Sequence, residues 1–200
     1  MKTNNKNLYN SLIITLFLFG SACADDNSSK LQNIIDSSLK NKSKQTDRAD
    51  IRKTLQWPTS CEERFNFPTS GLTFFKQSND QYIAQITCTY GSYQGMSLFY
   101  KINLSKNLPT TTQIKLPTYN SKSNSVSGYS SEIWGNVLTT STVKEFNILN
   151  LYSGYGHCGS LTTYDLSGKL PKIIKLKMQS DCDTKEKIRD YNKWKAIKVK

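Results

Sequence analysis

The sequence predicts a mainly β fold: an antiparallel sandwich or barrel-like domain with a short N-terminal helix and two disulfides. Three observations carry that expectation. From residue 71 onward, runs of Tyr, Thr, Phe and Ile recur between turns built from Gly, Pro, Asn and Ser, the punctuation of successive strands. Aromatic residues make up 11% of the chain, with 11 tyrosines, which suit a half-buried pleated surface. Four of the five cysteines, Cys61, Cys88, Cys158 and Cys182, lie in the body of the chain, and that even count reads as bridges.

The first element is an export segment. Lys2 and Lys6 precede Leu12-Ile13-Ile14-Thr15-Leu16-Phe17-Leu18-Phe19, and small residues lead to Cys23. The apolar run is far shorter than the roughly 20 residues that span a bilayer as a helix. Residues 1–22 therefore read as a signal peptide. Phe19-Gly20-Ser21-Ala22-Cys23 resembles a bacterial lipobox, with Gly20 where that pattern prefers leucine. Cleavage after Ala22-Cys23-Ala24, an A-x-A arrangement, is the alternative. Lipidation is preferred because Cys23 stands where a lipobox carries its cysteine, whereas the alternative cleavage removes Cys23 with the signal. It implies a membrane partner through lipid on Cys23, and Ala24 directs such a protein to the outer membrane, facing the periplasm.

Residues 23–46 are polar and poor in aromatics and read as a flexible tether. Leu31, Ile34, Ile35 and Leu39 have helical spacing, enough for a short helix within it. Residues 47–200 then form a single β-rich, disulfide-stapled domain. It opens with a capped helix over 46–55, stopped by Trp57-Pro58, and a further turn over 60–65. Strands follow at 71–75 and 81–88, around a Ser78-Asn79-Asp80 turn, with Tyr82, Ala84, Ile86 and Cys88 on one face. More strands are expected at 96–103 and 111–116, then a Ser/Asn-rich loop at 119–127. The second half predicts strands at 145–152, 161–166 and 172–178 and a closing strand at 193–199, with 183–191 as a helical turn or charged loop. Tyr82–Gly95 and Phe146–Gly159 each run from an aromatic residue through a strand into an aromatic-glycine turn, a hint of two related halves.

The most economical cysteine pairing is Cys61–Cys88 with Cys158–Cys182, one bridge per half, although four cysteines allow three connectivities. Each bridge is worth about 3–4 kcal/mol by chain entropy.

Trp57-Pro58 with Cys61, the turn Gly154-Tyr155-Gly156-His157-Cys158-Gly159, Tyr164, Gly168, Cys182 and Trp194 resemble the domain of unknown function 1176 family of exported bacterial proteins. The likeness spans about residues 50–200. This chain has His157 where the family commonly carries an acidic residue, and Tyr155 where a basic one is frequent. The resemblance implies an exported, disulfide-bearing, β-rich module and no established activity.

The residues offer little chemistry. His157 is the only histidine, and its neighbour Cys158 is expected to be oxidised, so no catalytic residue is assigned. The cysteines lack C-x-x-C spacing, so no metal or cofactor is expected. Asp181 and Asp183 flank Cys182, as a pair that would share a calcium ion or, with Glu132, serve an envelope hydrolase, but the two aspartates read as solvated loop acids. Glu62-Glu63 reads as a helix surface. Tyr90, Tyr93, Tyr152 and Tyr155 sit on glycine-bearing turns, where rings stack on sugars or on other proteins. The formal charge is +12, or +10 without Lys2 and Lys6, and Lys193, Lys195, Lys198 and Lys200 make a basic end. That balance favours lipid headgroups, an anionic envelope polymer or an acidic envelope protein over nucleic acid as partner. The expected function is a non-catalytic envelope binding module. An inhibitor or immunity-like protein against a secreted hydrolase is a specific form of it.

Overall fold

The computed structural model describes residues 22–40, 44–105, 109–138, 145–183 and 190–199. Most of the expected signal peptide and residues 184–189 lie outside them. The described chain is three layers: helices, a sheet buried on both faces, and a second sheet.

The helices are α1 (Ala22–Leu39), α2 (Gln45–Leu55) and α3 (Thr59–Arg64). Here one expectation is corrected. Residues 23–46 were expected to form a flexible tether, yet α1 runs through most of them, with Leu31, Ile34 and Ile35 all under 10% exposed. Alone, such a helix is marginal in water; its apolar stripe is stabilised by lying on a sheet. The packed domain therefore begins inside the expected tether. α2 ends at Gln56, whose left-handed conformation lets its N–H bond to Arg52 O. Pro58 then starts α3.

The first sheet has the order β1 (Leu72–Lys76), β2 (Gln81–Tyr90), β3 (Gly95–Asn103), β4 (Thr110–Ile114), all antiparallel. One face meets the helices: Leu72, Phe74, Tyr82, Ala84, Ile86, Cys88, Leu98 and Ile102 join Leu31, Ile35, Ile51, Leu55 and Trp57 in one core. The opposite face, with Phe75, Ile83, Phe99 and Ile114, packs on the second sheet through Phe146, Ile148, Tyr164 and Leu166. Phe146 meets both Phe75 and Phe99 edge-on.

Between the sheets the chain forms a ribbon, β5 (Leu116–Asn120) with β6 (Ser125–Ser130). Much of this is the stretch read as a Ser/Asn-rich loop. Its Asn120 side chain accepts from the Lys122 and Ser123 N–H groups, and Asn124 takes a left-handed conformation, so polar residues close a hairpin. β7 (Ile133–Trp134) then pairs with β3, and β8 (Asn136–Val137) pairs with β9 (Phe146–Leu151). Gly135 switches the chain from one sheet to the other at φ 135°. A Cβ there would lie 2.7 Å from Leu149 O, so only glycine fits.

The second sheet continues with β10 (Gly159–Asp165), β11 (Lys172–Gln179) and β12 (Lys195–Ala196), in the order β12-β11-β10-β9-β8. The closing strand is shorter than expected. A 3₁₀ turn, Tyr191–Lys193, capped by Asp190, occupies its start, and Trp194 is buried behind it.

Both expected disulfides form. Cys61–Cys88 ties α3 to β2, and Cys158–Cys182 ties the β9–β10 turn to the segment after β11.

Candidate functional site

Two turns that read alike in the sequence meet at one end of the molecule. The β2–β3 turn is Tyr90-Gly91-Ser92-Tyr93-Gln94-Gly95, and the β9–β10 turn begins at Tyr152. Gln94 joins them: its Nε2 donates to Asn150 Oδ1 at 3.0 Å, and its Oε1 accepts from Leu151 N at 2.8 Å. Tyr93 lies over the backbone of the second turn, where a Cβ on Gly154 would sit 3.4 Å from its ring. Asn136, just after the sheet switch, donates to Tyr93 O. The two turns are thus fixed to each other by the sheets behind them.

The four tyrosines expected to bind are all exposed. Tyr155 is 72% exposed, and Tyr90, Tyr93 and Tyr152 are between 42 and 46%. Two further rings complete the patch and were not singled out from the sequence. Phe67 packs edge-on to Tyr90 with centroids 4.2 Å apart, and Trp134, 45% exposed, lies beside Gly91. The signal for both was present. Phe65-Asn66-Phe67-Pro68 leaves α3 beside a bridged cysteine, and Trp134 precedes the switch glycine. What could not be read was that these segments converge on the tyrosine turns.

The ring-bearing segments, 65–68, 90–95, 133–138 and 152–157, contain no Lys, Arg, Asp or Glu. The basic excess falls in another stretch of the sequence: residues 166–200 hold eleven Lys and Arg against four Asp and Glu. Within that stretch Lys169 and Lys172 lie at the end of β10 opposite the tyrosine turns, while Cys182 is bridged to Cys158 beside the second turn.

His157 sits beneath this patch rather than on it. It is 3% exposed, its Nε2 is hydrogen-bonded to Cys182 O across the Cys158–Cys182 bridge, and its ring lies 5.9 Å from that of Tyr155. It holds the bridge in place and presents no nitrogen to solvent.

The carboxylates do not assemble. Glu132 pairs with Arg64 at 2.9 Å, while Asp181 accepts from the Asp183 N–H two residues away. Among the described residues no three His, Cys, Asp or Glu side chains come together to hold a metal.

Glu62 is not the solvated helix acid that was expected. It accepts from Arg48 through Nη2 at 2.7 Å and Nε at 3.0 Å, and from Trp57 Nε1. Arg48 is almost fully buried, donates to Ser70 O, and stacks 3.7 Å from the Phe65 ring centroid. Partial burial pushes the Glu62 carboxyl up, but the hydrogen bonds from Arg48 and Trp57 and the Arg48 charge together outweigh it and hold it below its ordinary range. This pair braces Phe65, and so the segment that presents Phe67 to the aromatic patch.

No family model, curated protein or solved structure matches this chain, so the site is read from its own geometry.

Proposed function

We propose that this chain is an exported, lipid-anchored envelope protein that binds another protein through its aromatic end and catalyses no reaction. The observation that carries the reading is the patch of six exposed rings on uncharged Tyr-, Ser-, Gly- and Asn-bearing segments. Such a composition gives large, rigid contact area at low entropic cost, with adaptable hydrogen bonding around it. The ring-bearing segments themselves carry no counter-charge for an anionic polymer, and Arg64 at their edge is paired with Glu132, which favours a protein. The lipobox-like segment ending at Cys23 supports the anchor and, with Ala24, the outer membrane. The likeness to the domain of unknown function 1176 family is consistent with export and adds no activity.

The test is comparative. The chain and two variants, Tyr93→Ala/Tyr155→Ala and Lys172→Glu/Lys177→Glu, are used to capture partners from one envelope extract. Aromatic interface anchors are worth about 2 kcal/mol or more, so the tyrosine variant should lose a captured protein by about thirtyfold in affinity. The lysine variant should keep it. Loss in the lysine variant alone contradicts the reading and returns it to the basic surface.

A further inference from the structure

We propose that the chain stands upright on its membrane: the end bearing the start of α1 and the β10–β11 tip lies on anionic headgroups, and the aromatic patch faces away. The orientation rests in part on the lipid at Cys23 proposed above. The tip contact rests on separate observations.

The first is the stiffness of the connection. Cys23 lies in the backbone of α1, and Leu31, eight residues on, is already buried in the core. Eight helical residues span about 12 Å along one fixed direction. A flexible 23-residue linker would instead wander over about 25–30 Å in any direction. α1 therefore holds Cys23 at a fixed place relative to the domain, and the tilt about the lipid joint is set by what else touches the membrane.

The second is direction. Ser38 donates to Leu72 O at the start of β1, whereas Gln32 reaches the hydroxyl of Tyr82, whose ladder partner is Lys76 at the end of β1. α1 therefore runs antiparallel to β1, and its N-terminal end emerges beside the β1–β2 turn, where Tyr82 also donates to Asn79 O. Tyr90 lies at the far end of β2, eight residues or about 26 Å along an extended strand. Counting the helix from Gln32 back to Cys23, the tyrosine turns stand about 40 Å from the lipidated residue.

The third is what else occupies the anchor end. A shallow cleft lined by Gln77, Gln81, Lys101, Asp165 and Ser167 brings the β1–β2 turn together with the start of the β10–β11 turn. That turn is Ser167-Gly168-Lys169-Leu170-Pro171-Lys172, and Leu170 at its tip is 60% exposed. An exposed leucine between two lysines suits insertion at a headgroup boundary, with the ammonium groups on lipid phosphates. Lys76 and Lys101 add to the same end, and Asp80, Asp165 and, next to Cys23 in the sequence, Asp25 and Asp26 oppose them. Asp165 is engaged with its own turn through Ser167.

The chain as isolated from envelopes provides the test. Its N-terminal peptide mass reports lipidation. A nitrobenzoxadiazole label is placed by Leu170→Cys or by Tyr155→Cys. Each is reconstituted in vesicles of phosphatidylethanolamine and phosphatidylglycerol carrying a headgroup nitroxide. The proposal predicts that most emission is quenched at position 170 and almost none at 155. Lys169→Glu/Lys172→Glu should abolish the difference while the circular dichroism stays unchanged. A lipidated chain quenched equally at both positions overturns the upright orientation and leaves the anchor intact. An unlipidated N-terminus overturns the anchor reading, and the tip is then judged alone. Binding to phosphatidylglycerol vesicles but not to phosphatidylcholine vesicles upholds it, and no binding sinks it.

Discussion

Arg48 shows how a residue can be misjudged from its neighbours. In Gln45-Thr46-Asp47-Arg48-Ala49-Asp50 it reads as one more solvated charge, yet it lies inside the protein with Glu62, Ser70 and Phe65 around it. The partners come from 14 to 22 positions away, so no local pattern announces them. Beside them Gly71 sits at φ 60°, where a Cβ would fall 2.5 Å from the Phe65 ring. Breaking the pair from the carboxylate side leaves a buried guanidinium uncompensated. Glu62 is about a quarter exposed, so the usual cost of breaking a buried pair is discounted. Glu62→Gln should cost about 2–3 kcal/mol in urea unfolding, and Arg48→Met/Glu62→Leu should recover part of it. The pH dependence has a defined sign. The folded carboxyl titrates below its unfolded value near 4.5, so the stabilisation is present above that value and lost as pH falls through the folded one. Wild type should therefore lose stability more steeply than Glu62→Gln below about pH 4.5, followed by acid titration of the urea midpoint.

At the scale of elements, the strands were largely legible because alternation and turn residues are local signals. β1, β2, β3, β9 and β11 fall within a few residues of their expected positions, and Cys88 points into the core with Tyr82, Ala84 and Ile86. α1 was harder. Its Leu31, Ile34, Ile35 and Leu39 stripe was visible, but the surrounding Ser, Asn, Asp and Lys residues outvoted it. The stripe acquires value only against a sheet formed more than thirty residues later. That dependence is testable. A tether could be altered without consequence, whereas Ile35, fully buried, belongs to the core. Ile35→Ala should lower stability by about 2–4 kcal/mol, read from the urea midpoint at constant slope. An unchanged midpoint would return α1 to the status of a linker. The polar ribbon β5–β6 was missed for the converse reason: Asn and Ser make its turn, and its strands have few large apolar side chains to declare them.

At the scale of the whole molecule, the two aromatic-glycine turns, read as a hint of related halves, occupy equivalent places in the two sheets. Each closes the hairpin of its own half, and Gln94 joins them into one surface. The tyrosines could be picked out one by one, but Phe67 and Trp134 joined them only through the fold. The even set of four cysteines likewise resolves into architecture, with one bridge between α3 and the first sheet, one at the end of the second sheet, and His157 held against the latter. The central claim is that the aromatic end is a protein-binding surface. The most direct measurement is photocrosslinking in intact cells, with a benzophenone side chain placed at Tyr155 or, as a control on the second sheet, at Ile174, which is also exposed. A protein-binding aromatic end gives a discrete adduct of added protein mass at position 155 and none at 174. Equal labelling at both positions, or no adduct at 155, would contradict it.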